Sequence, residues 1–332
     1  MLAVLAGGCA HQVALVPIAE PPHCAAMSAG APIAWLNPRE DRRALDAWCA
    51  AVGAPIVRTA DRPARPVDRL AVVAWNLHEG AGRLPVFLAD LRSGRLTGGT
   101  PVSDFVLLVQ EAYRSRQDEP VGVPGARWAA PIQPGGAREG IVGVAGALHL
   151  WLFYVPSMSN GPPALREDRG NAILSTLPLD GFEAVELPME RQRRVAVAAL
   201  ITGRSTLGRP WTLRLVSVHL SNMVAHHLWI FSEAGRARQA HALAGAFPDR
   251  VPTALGGDLN TWFGFSDGAL GALSARFSAG PEHQDRRPTF WIERLDHLLF
   301  DVPPGWEVRV RRASSRYGSD HYPLIALITP AG

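Results

Sequence analysis

The 332-residue sequence lacks a run of about 18 apolar residues outside its first few positions, which argues against a membrane-spanning helix. It also lacks a shift in composition that would require two domains. With 47% hydrophobic and 19% charged residues, its main body is not of the disordered class. It has no dense run of basic residues, and the net charge of +3 lies on scattered arginines, so the tendency to bind polyanions such as nucleic acid or acidic lipid headgroups is weak.

Cysteine is scarce, with only Cys9, Cys24 and Cys49. The small residues before Cys9 resemble the end of a bacterial lipoprotein signal, so residues 1–9 are interpreted as a truncated signal with a lipid anchor at Cys9. A plain apolar extension is the alternative. The signal predicts a bacterial protein of the cell envelope or exterior, where Cys24 and Cys49 would form one disulfide or stay as two buried thiols.

Two regions follow the signal. Residues 10–69 are predicted to be a tether rich in Ala and Pro, with a short helix that starts at Asn37 and ends at Gly53. Residues 70–330 are predicted to be the folded body. The stretch 115–139 is rich in Gly and Pro and has no periodicity, which indicates a long loop.

Buried strands alternate with a few helices in the folded body. Residues 70–75 and 104–109 form continuous apolar runs, as expected of strands covered on both faces. Further strands are predicted at 151–155, 169–175, 194–201, 211–218, 253–257, 295–300, 307–312 and 323–328, and helices at 87–91, 141–150 and 232–246. About ten strands without regular βαβ alternation predict two packed sheets covered by helices.

Polar residues follow many of these strands. Asp258 and Asn260 are two positions apart at a strand end, so both side chains reach the same face. The full set at strand ends is Asn76, Glu111, His219, Asp258, Asn260, Asp296, Asp320 and His321. Each alone fits an ordinary role as a turn residue, a helix-terminal charge or a core imidazole. Together they favour one site, because converging carboxylates need cations or histidines between them.

The order and spacing of the motifs resemble the endonuclease/exonuclease/phosphatase superfamily. The matching motifs are Trp75-Asn76-Leu77, Val109-Gln110-Glu111, Arg169-Gly170-Asn171-Ala172, Val218-His219-Leu220, Gly257-Asp258-Leu259-Asn260, Arg294-Leu295-Asp296-His297 and Gly318-Ser319-Asp320-His321. The resemblance covers about residues 70 to 328. It implies an α+β fold, a four-layer α/β sandwich with two central, mostly antiparallel sheets flanked by helices, and phosphoester hydrolysis with a divalent metal.

The resemblance implies a metal and substrate site. Glu111 is expected to be the principal ligand of Mg²⁺, with Mn²⁺ or Ca²⁺ as alternatives, because a hard cation prefers oxygen ligands. Asn76 and Asp320 are expected to complete the metal network. Arg169 is expected to contact phosphate through its planar guanidinium, with Asn171 beside it.

The resemblance also implies the catalytic residues. Asp258 is expected to orient and deprotonate the attacking water, and Asn260 to donate a hydrogen bond to the phosphoryl oxygens. His321, paired with Asp296, would be an imidazolium that stabilises the transition state. His219 would contact phosphate or protonate the leaving oxygen.

Two positions depart from the pattern of abasic-site enzymes. His219 stands where those enzymes have an aromatic hydroxyl, and His78 where they usually have Asp. Both differences argue against abasic-site repair. The prediction is a magnesium-dependent phosphodiester hydrolase of deoxyribonuclease type, since scattered arginines suit a polynucleotide backbone.

Two alternatives remain open. The first is a sphingomyelinase-like or inositol-phosphate-directed phosphoesterase, for which aromatic residues near the site could form an apolar approach, although core packing also explains them. They are Trp229, Phe231, Trp262, Phe263 and Phe265. The second is a non-catalytic binding module, disfavoured because Glu111, Asp258 and His321 are all present. The predicted partner is a nucleic acid or a phospholipid headgroup, and no protein partner is implied.

Overall fold

The computed structural model describes residues 15–17, 31–38, 47–48, 52–115, 129–130, 137–160, 167–190, 192–222, 233–248, 250–262, 264–277 and 285–330. Its strands are β1 (Leu15–Pro17), β2 (Ala34–Pro38), β3 (Ile56–Arg58), β4 (Leu70–Asn76), β5 (Phe105–Arg114), β6 (Ala129–Ala130), β7 (Trp151–Asn160), β8 (Glu167–Ser175), β9 (Asp180–Glu186), β10 (Val195–Arg204), β11 (Pro210–His219), β12 (Thr253–Asp258), β13 (Asp296–Asp301), β14 (Glu307–Arg312) and β15 (Leu324–Thr329). Its helices are α1 (Leu84–Arg92), α2 (Ile141–Ala147), α3 (Glu233–Ala246) and α4 (Gly268–Arg276), with a 3₁₀ turn at Gly264–Ser266.

The described strands form two sheets. The first has the order β1-β2-β9-β10-β11-β12-β13, and the second has the order β14-β15-β4-β5-β8-β7-β3, with β6 paired to β7. Most neighbours are antiparallel, and parallel pairing joins β2 to β9, β4 to β5, β6 to β7 and β11 to β12. The predicted arrangement of two central, mostly antiparallel sheets is confirmed.

The sheets pack face to face and carry helices on their outer faces. One apolar cluster fills the space between them and includes Val72 and Val106 of the second sheet with Val197 and Leu215 of the first. A second cluster packs α1 and α2 on the outer face of the second sheet, and a third packs α3 and α4 on the outer face of the first. β4 and β5 are covered on both sides, which agrees with the continuous apolar runs in their sequences.

Strand directions bring several strand termini to one edge of the sandwich. β11 and β12 run parallel and end with His219 opposite Asp258. β13 runs antiparallel to β12, so its first residue, Asp296, also pairs with Asp258. In the other sheet β4 ends at Asn76, in register with Gln110 of β5. This edge therefore collects polar residues from both sheets.

The N-terminal region and some connections differ from the sequence prediction. The helix expected to start at Asn37 is wrong at that end, since Asn37 lies in β2 and pairs with β1. β2 also pairs with β9, so residues of the predicted tether extend the first sheet. β3, β9 and α4 were not predicted. β7 reaches Asn160 although residues from 156 onward were expected to be irregular.

Some predictions lie outside the described residues. These include the lipoprotein signal and lipid anchor, the pairing of Cys24 with Cys49 and most of the loop at 115–139, which all stay predictions. The aromatics Trp229, Phe231 and Phe263 also lie outside them. Within the part of the chain that the structure describes, the helices are too short or too polar to cross a membrane.

Gly257 allows the close approach of β11 and β12 on which the site depends. A Cβ placed on Gly257 would lie 1.8 Å from the Val218 carbonyl oxygen, a backbone atom that cannot turn away. We expect Gly257→Ala to lower the free energy of unfolding by about 3 kcal/mol, because both strands must separate. Urea unfolding followed by circular dichroism measures this change.

Gly271 in α4 provides the matched control. A Cβ there would meet no atom within 4 Å. Gly271→Ala should raise the free energy of unfolding by about 0.5–1 kcal/mol, since alanine is the better helix former. Equal effects of the two substitutions would contradict the close approach at Gly257.

Candidate active site

Asp258 lies at the centre of the polar edge. It ends β12, and its side chain is almost fully buried. Asn76 Nδ2 donates to Asp258 Oδ2 over 3.0 Å, and the backbone N–H of Asn260 donates to Oδ1 over 3.0 Å. Burial raises the pKa of Asp258 to about 7, opposed by the charge of His321. A carboxyl group that gains and loses a proton near pH 7 is suited to act as a general base.

Asp296 and His321 form a buried pair beside Asp258. His321 Nδ1 lies 2.7 Å from Asp296 Oδ2, and His321 Nε2 lies 3.8 Å from Asp258 Oδ2. Burial alone would lower the pKa of His321, but the adjacent carboxylates, Asp296 above all, raise it to about 10. The imidazole is therefore charged at neutral pH and presents Nε2 to the site.

These three residues could also be read as a metal site. Single ligand atoms of Asp258, Asp296 and His321 lie within 4.8 Å of one another. A histidine can bind a metal through Nε2 while its Nδ1 pairs with a carboxylate, as Nδ1 of His321 does with Asp296, so this group could hold a metal ion. Without a metal, the same side chains are suited to proton transfer and charge stabilisation.

His219 lies between two carboxylates at the end of β11. Its Nε2 is 3.5 Å from Asp258 Oδ2, and its Nδ1 is 3.9 Å from Glu111 Oε1. Burial lowers the pKa of His219 well below its usual range, and the charges of Arg194 and Arg169 lower it further. The ring is neutral at pH 7, which favours contact with phosphate over protonation of the leaving oxygen.

Glu111 projects from a bulge in β5. The register between β5 and β8 shifts between Val109 and Ala112, and Glu111 has a φ of 49°, a left-handed conformation that costs energy for a residue with a side chain. The bulge turns the carboxylate towards the site, where 19% of the side chain is exposed. Arg169 Nη1 lies 3.5 Å from Glu111 Oε2.

Carboxylates surround His78 at the neighbouring part of the edge. His78 Nδ1 lies 3.1 Å from Asp320 Oδ2. This hydrogen bond, with the charges of Glu111 and Glu79, raises the pKa of His78 even though burial opposes it. Glu111 and Asp320 bring carboxylate oxygens to this part of the edge, and these are the ligands that a hard divalent cation prefers.

Three asparagines among the predicted site residues also form hydrogen bonds within the protein. Asn76 Oδ1 accepts from the His78 N–H over 3.0 Å while Nδ2 binds Asp258, so both ends of the amide are engaged. Asn260 Nδ2 donates to the Leu220 carbonyl over 3.0 Å, and φ at Asn260 is 52°. Asn171 Nδ2 donates to the Val195 carbonyl over 2.6 Å and joins the two sheets.

All ten predicted site residues lie at this edge of the sandwich. Arg169 is the one whose geometry departs most from its expected role, since its guanidinium pairs with the buried Glu79. Sequence reasoning missed Glu79 and Arg194. Arg194 precedes β10, and because β10 runs antiparallel to β11, the start of β10 meets the same edge as the end of β11. A search of strand starts as well as strand ends would have found it.

An apolar turn stands beside His321. The Phe290 ring centroid lies 4.7 Å from that of His321, and Phe290 bridges to Glu293 across a tight turn. Within the turn, Trp291 is 75% exposed and Ile292 is 83% exposed. Trp291 stacks on Phe290 with ring centroids 6.0 Å apart, so the exposed part of the turn adjoins the ring that contacts His321.

The chain belongs to the Endonuclease/Exonuclease/phosphatase family, whose model matches residues 36–321. This is a family of phosphoesterases and nucleases, most of which are hydrolytic. No curated protein matches the chain significantly in sequence.

Solved structures share the fold. An endonuclease/exonuclease/phosphatase from Beutenbergia cavernae DSM 12333 is 19% identical, with a TM-score of 0.53 over 80% of this chain and 72% of that chain. A family protein from Leptotrichia buccalis C-1013-b is 13% identical, with a TM-score of 0.52 over 78% of this chain and 99% of that chain. At these identities the likeness concerns the four-layer sandwich alone.

Proposed function

We propose that the protein is a divalent-metal-dependent phosphodiester hydrolase of deoxyribonuclease type, with magnesium as the metal. The observation that carries the proposal is the meeting of Asp258 with two histidines, His219 at 3.5 Å and His321 at 3.8 Å, beside Glu111. A base flanked by hydrogen-bond donors, next to carboxylates that suit a metal, has the parts that phosphoryl transfer to water needs.

The proposed reaction is a single displacement at phosphorus. Asp258 takes a proton from water as the water oxygen bonds to phosphorus, and Asn76 holds the carboxylate in place through its 3.0 Å hydrogen bond. The P–O bond to the leaving group breaks, and the leaving oxygen is protonated by solvent. His321, held by Asp296, donates from Nε2 to a phosphoryl oxygen as negative charge grows there.

The metal would be held by Glu111 and Asp320, and when bound it supplies positive charge that offsets the charge of the phosphoryl oxygens. Arg169 holds the carboxylates of Glu79 and Glu111 in place through its ion pairs with them. Asn76 takes part through Asp258, since its amide is already bonded at both ends.

Hydrolysis of bis-p-nitrophenyl phosphate tests the proposal. We expect turnover with Mg²⁺, a loss of at least about 100-fold in EDTA, and full recovery when Mg²⁺ is added back, because metal ions contribute several kcal/mol to this chemistry. Mn²⁺ and Ca²⁺ are compared at the same concentration. Turnover that EDTA leaves unchanged, or none with any of the three ions, would contradict the assignment.

A phospholipid-directed phosphodiesterase is the second candidate, favoured by the exposed Trp291 and Ile292 beside the site. Such residues can enter the apolar part of a lipid surface while the headgroup meets His321. Parallel assays on supercoiled plasmid, sphingomyelin vesicles and inositol phosphates separate the two candidates. Nicking of plasmid without lipid hydrolysis supports the nuclease, and the reverse supports the lipid enzyme.

A further inference from the structure

Two neighbouring arginines before β10 have opposite environments. Arg193 Nε donates to Glu186 Oε2 over 3.0 Å, and Arg193 Nη1 donates to the Pro156 carbonyl over 2.9 Å, so this buried cation is neutralised within the protein. Arg194 is also buried, with 5% exposed. Its Nη2 donates over 3.2 Å to Gln192 Oε1, which is a neutral group.

Among the described residues Arg194 has no ion-pair partner, and its Nε is buried without a hydrogen-bond acceptor. A buried cation without an anion is costly, so such groups are normally paired with carboxylates or with bound anions. Burial, followed by the charge of Arg169, lowers the pKa of Arg194 to about 10, and the charges of Glu111 and Asp258 oppose this change. The surroundings of Arg194 therefore favour a negative ligand.

Arg194 lines a small cleft at the polar edge of the sandwich. The cleft also contains Arg169, His219 and Glu111, three of the predicted site residues. Arg169 is already paired with Glu79 and lies 3.5 Å from Glu111, whereas Arg194 has no ion-pair partner among the described residues that line this space. The cleft adjoins the position where His219 approaches Asp258.

We propose that Arg194 is an anion-binding residue of this cleft and that its guanidinium binds an oxygen of the substrate phosphoryl group. The inference rests on the proposed function, because it takes the anion to be the phosphoryl group of a phosphodiester. Guanidinium groups suit this ligand, since their N–H groups form a planar fork that matches phosphate oxygens. Arg194 thus performs the phosphate contact that the sequence had assigned to Arg169.

Removal of Arg194 should stabilise the protein and weaken phosphate binding at the same time. Arg194→Met replaces the cation with an apolar side chain that fills part of its volume, so in chloride buffer we expect Tm to rise by about 2 °C or more. Calorimetric titration of the metal-free protein with inorganic phosphate should show a Kd at least about tenfold higher than in the wild type. Arg194→Lys keeps the charge without the fork and should lie between the two.

Two other arginines serve as controls. Arg193→Met leaves Glu186 unpaired, so Tm should fall. Arg209→Met removes an exposed charge of the β10–β11 turn and should leave both Tm and the Kd for phosphate unchanged. A parallel titration with chloride at equal ionic strength corrects the phosphate Kd for general screening of charges.

The outcomes distinguish this inference from the proposed function. Wild-type affinity for phosphate in both Arg194→Met and Arg194→Lys, or no phosphate binding by the wild type, would overturn the role of Arg194. If Arg194 governs phosphate binding but the wild type hydrolyses no phosphodiester, the inference about the cleft stands and the proposed function fails. Under both proposals, kcat/KM of Arg194→Met for bis-p-nitrophenyl phosphate falls about 100-fold.

Discussion

Asp258→Asn is expected to lower kcat for bis-p-nitrophenyl phosphate by about 10³-fold while the protein stays folded. The amide keeps the shape of the side chain, but it cannot take a proton from water, and general bases contribute about 10²- to 10⁴-fold. Asp258 contacts Asn76 and lies close to both histidines. Another base could therefore take its place only if these side chains moved. Steady-state kinetics with saturating Mg²⁺ measures the loss.

The thermal stability of Asp258→Asn should not fall with its activity. An unfolded Asp is ionised above pH 4, but burial raises the pKa of Asp258 to about 7, so ionisation of this carboxyl disfavours the folded state as pH rises through that range. At pH 8 the Tm of Asp258→Asn should therefore equal or exceed that of the wild type. A Tm below the assay temperature would show that the loss of activity came from unfolding.

Asp180→Asn is the matched control for this change. Asp180 is exposed at the start of β9 and pairs with Leu200 of β10, away from the active edge. Its replacement should leave kcat within twofold of the wild type. Residual wild-type activity in Asp258→Asn would place the reaction centre elsewhere.

The sequence predicted the sheets well because their strands are buried on both faces. The apolar runs that became β4, β5 and β12 have no polar face, which leaves a buried strand as the interpretation. Polar residues that follow such runs have to leave the core at the sheet edge. For this reason the sequence alone groups Asn76, Glu111 and Asp258.

Other features depend on partners that are distant in sequence. β2 was predicted as the start of a helix because Pro38 is followed by acidic residues, yet pairing with β9 makes it a strand. The pairing of Arg169 with Glu79 joins residues 90 positions apart, and a local pattern cannot reveal it. Arg193 and Arg194 are adjacent in sequence and chemically identical. Only the packing of the two sheets gives Arg193 a carboxylate partner and leaves the Nε of Arg194 without an acceptor.

His321→Gln should lower kcat/KM by about 10³-fold, and the same substitution should make Asp296 dispensable. Glutamine retains an N–H donor but not the positive charge that Nε2 of His321 presents to the phosphoryl oxygens. Asp296 is the 2.7 Å partner of Nδ1 and has no contact with the substrate in the proposed reaction. Asp296→Asn alone should cost about 10²-fold, because it leaves the ring uncharged and less well oriented.

The double variant tests whether Asp296 only positions His321 or contributes to catalysis independently. If Asp296 acts through His321, Asp296→Asn combined with His321→Gln should be no slower than His321→Gln alone, near 10³-fold, whereas independent residues would multiply to about 10⁵-fold. His241→Gln on the exposed side of α3 controls for the loss of a histidine. A multiplied loss in the double variant would mean that Asp296 contributes directly to catalysis. A metal held among Asp258, Asp296 and His321, whose ligand atoms lie within 4.8 Å of one another, would then explain that contribution.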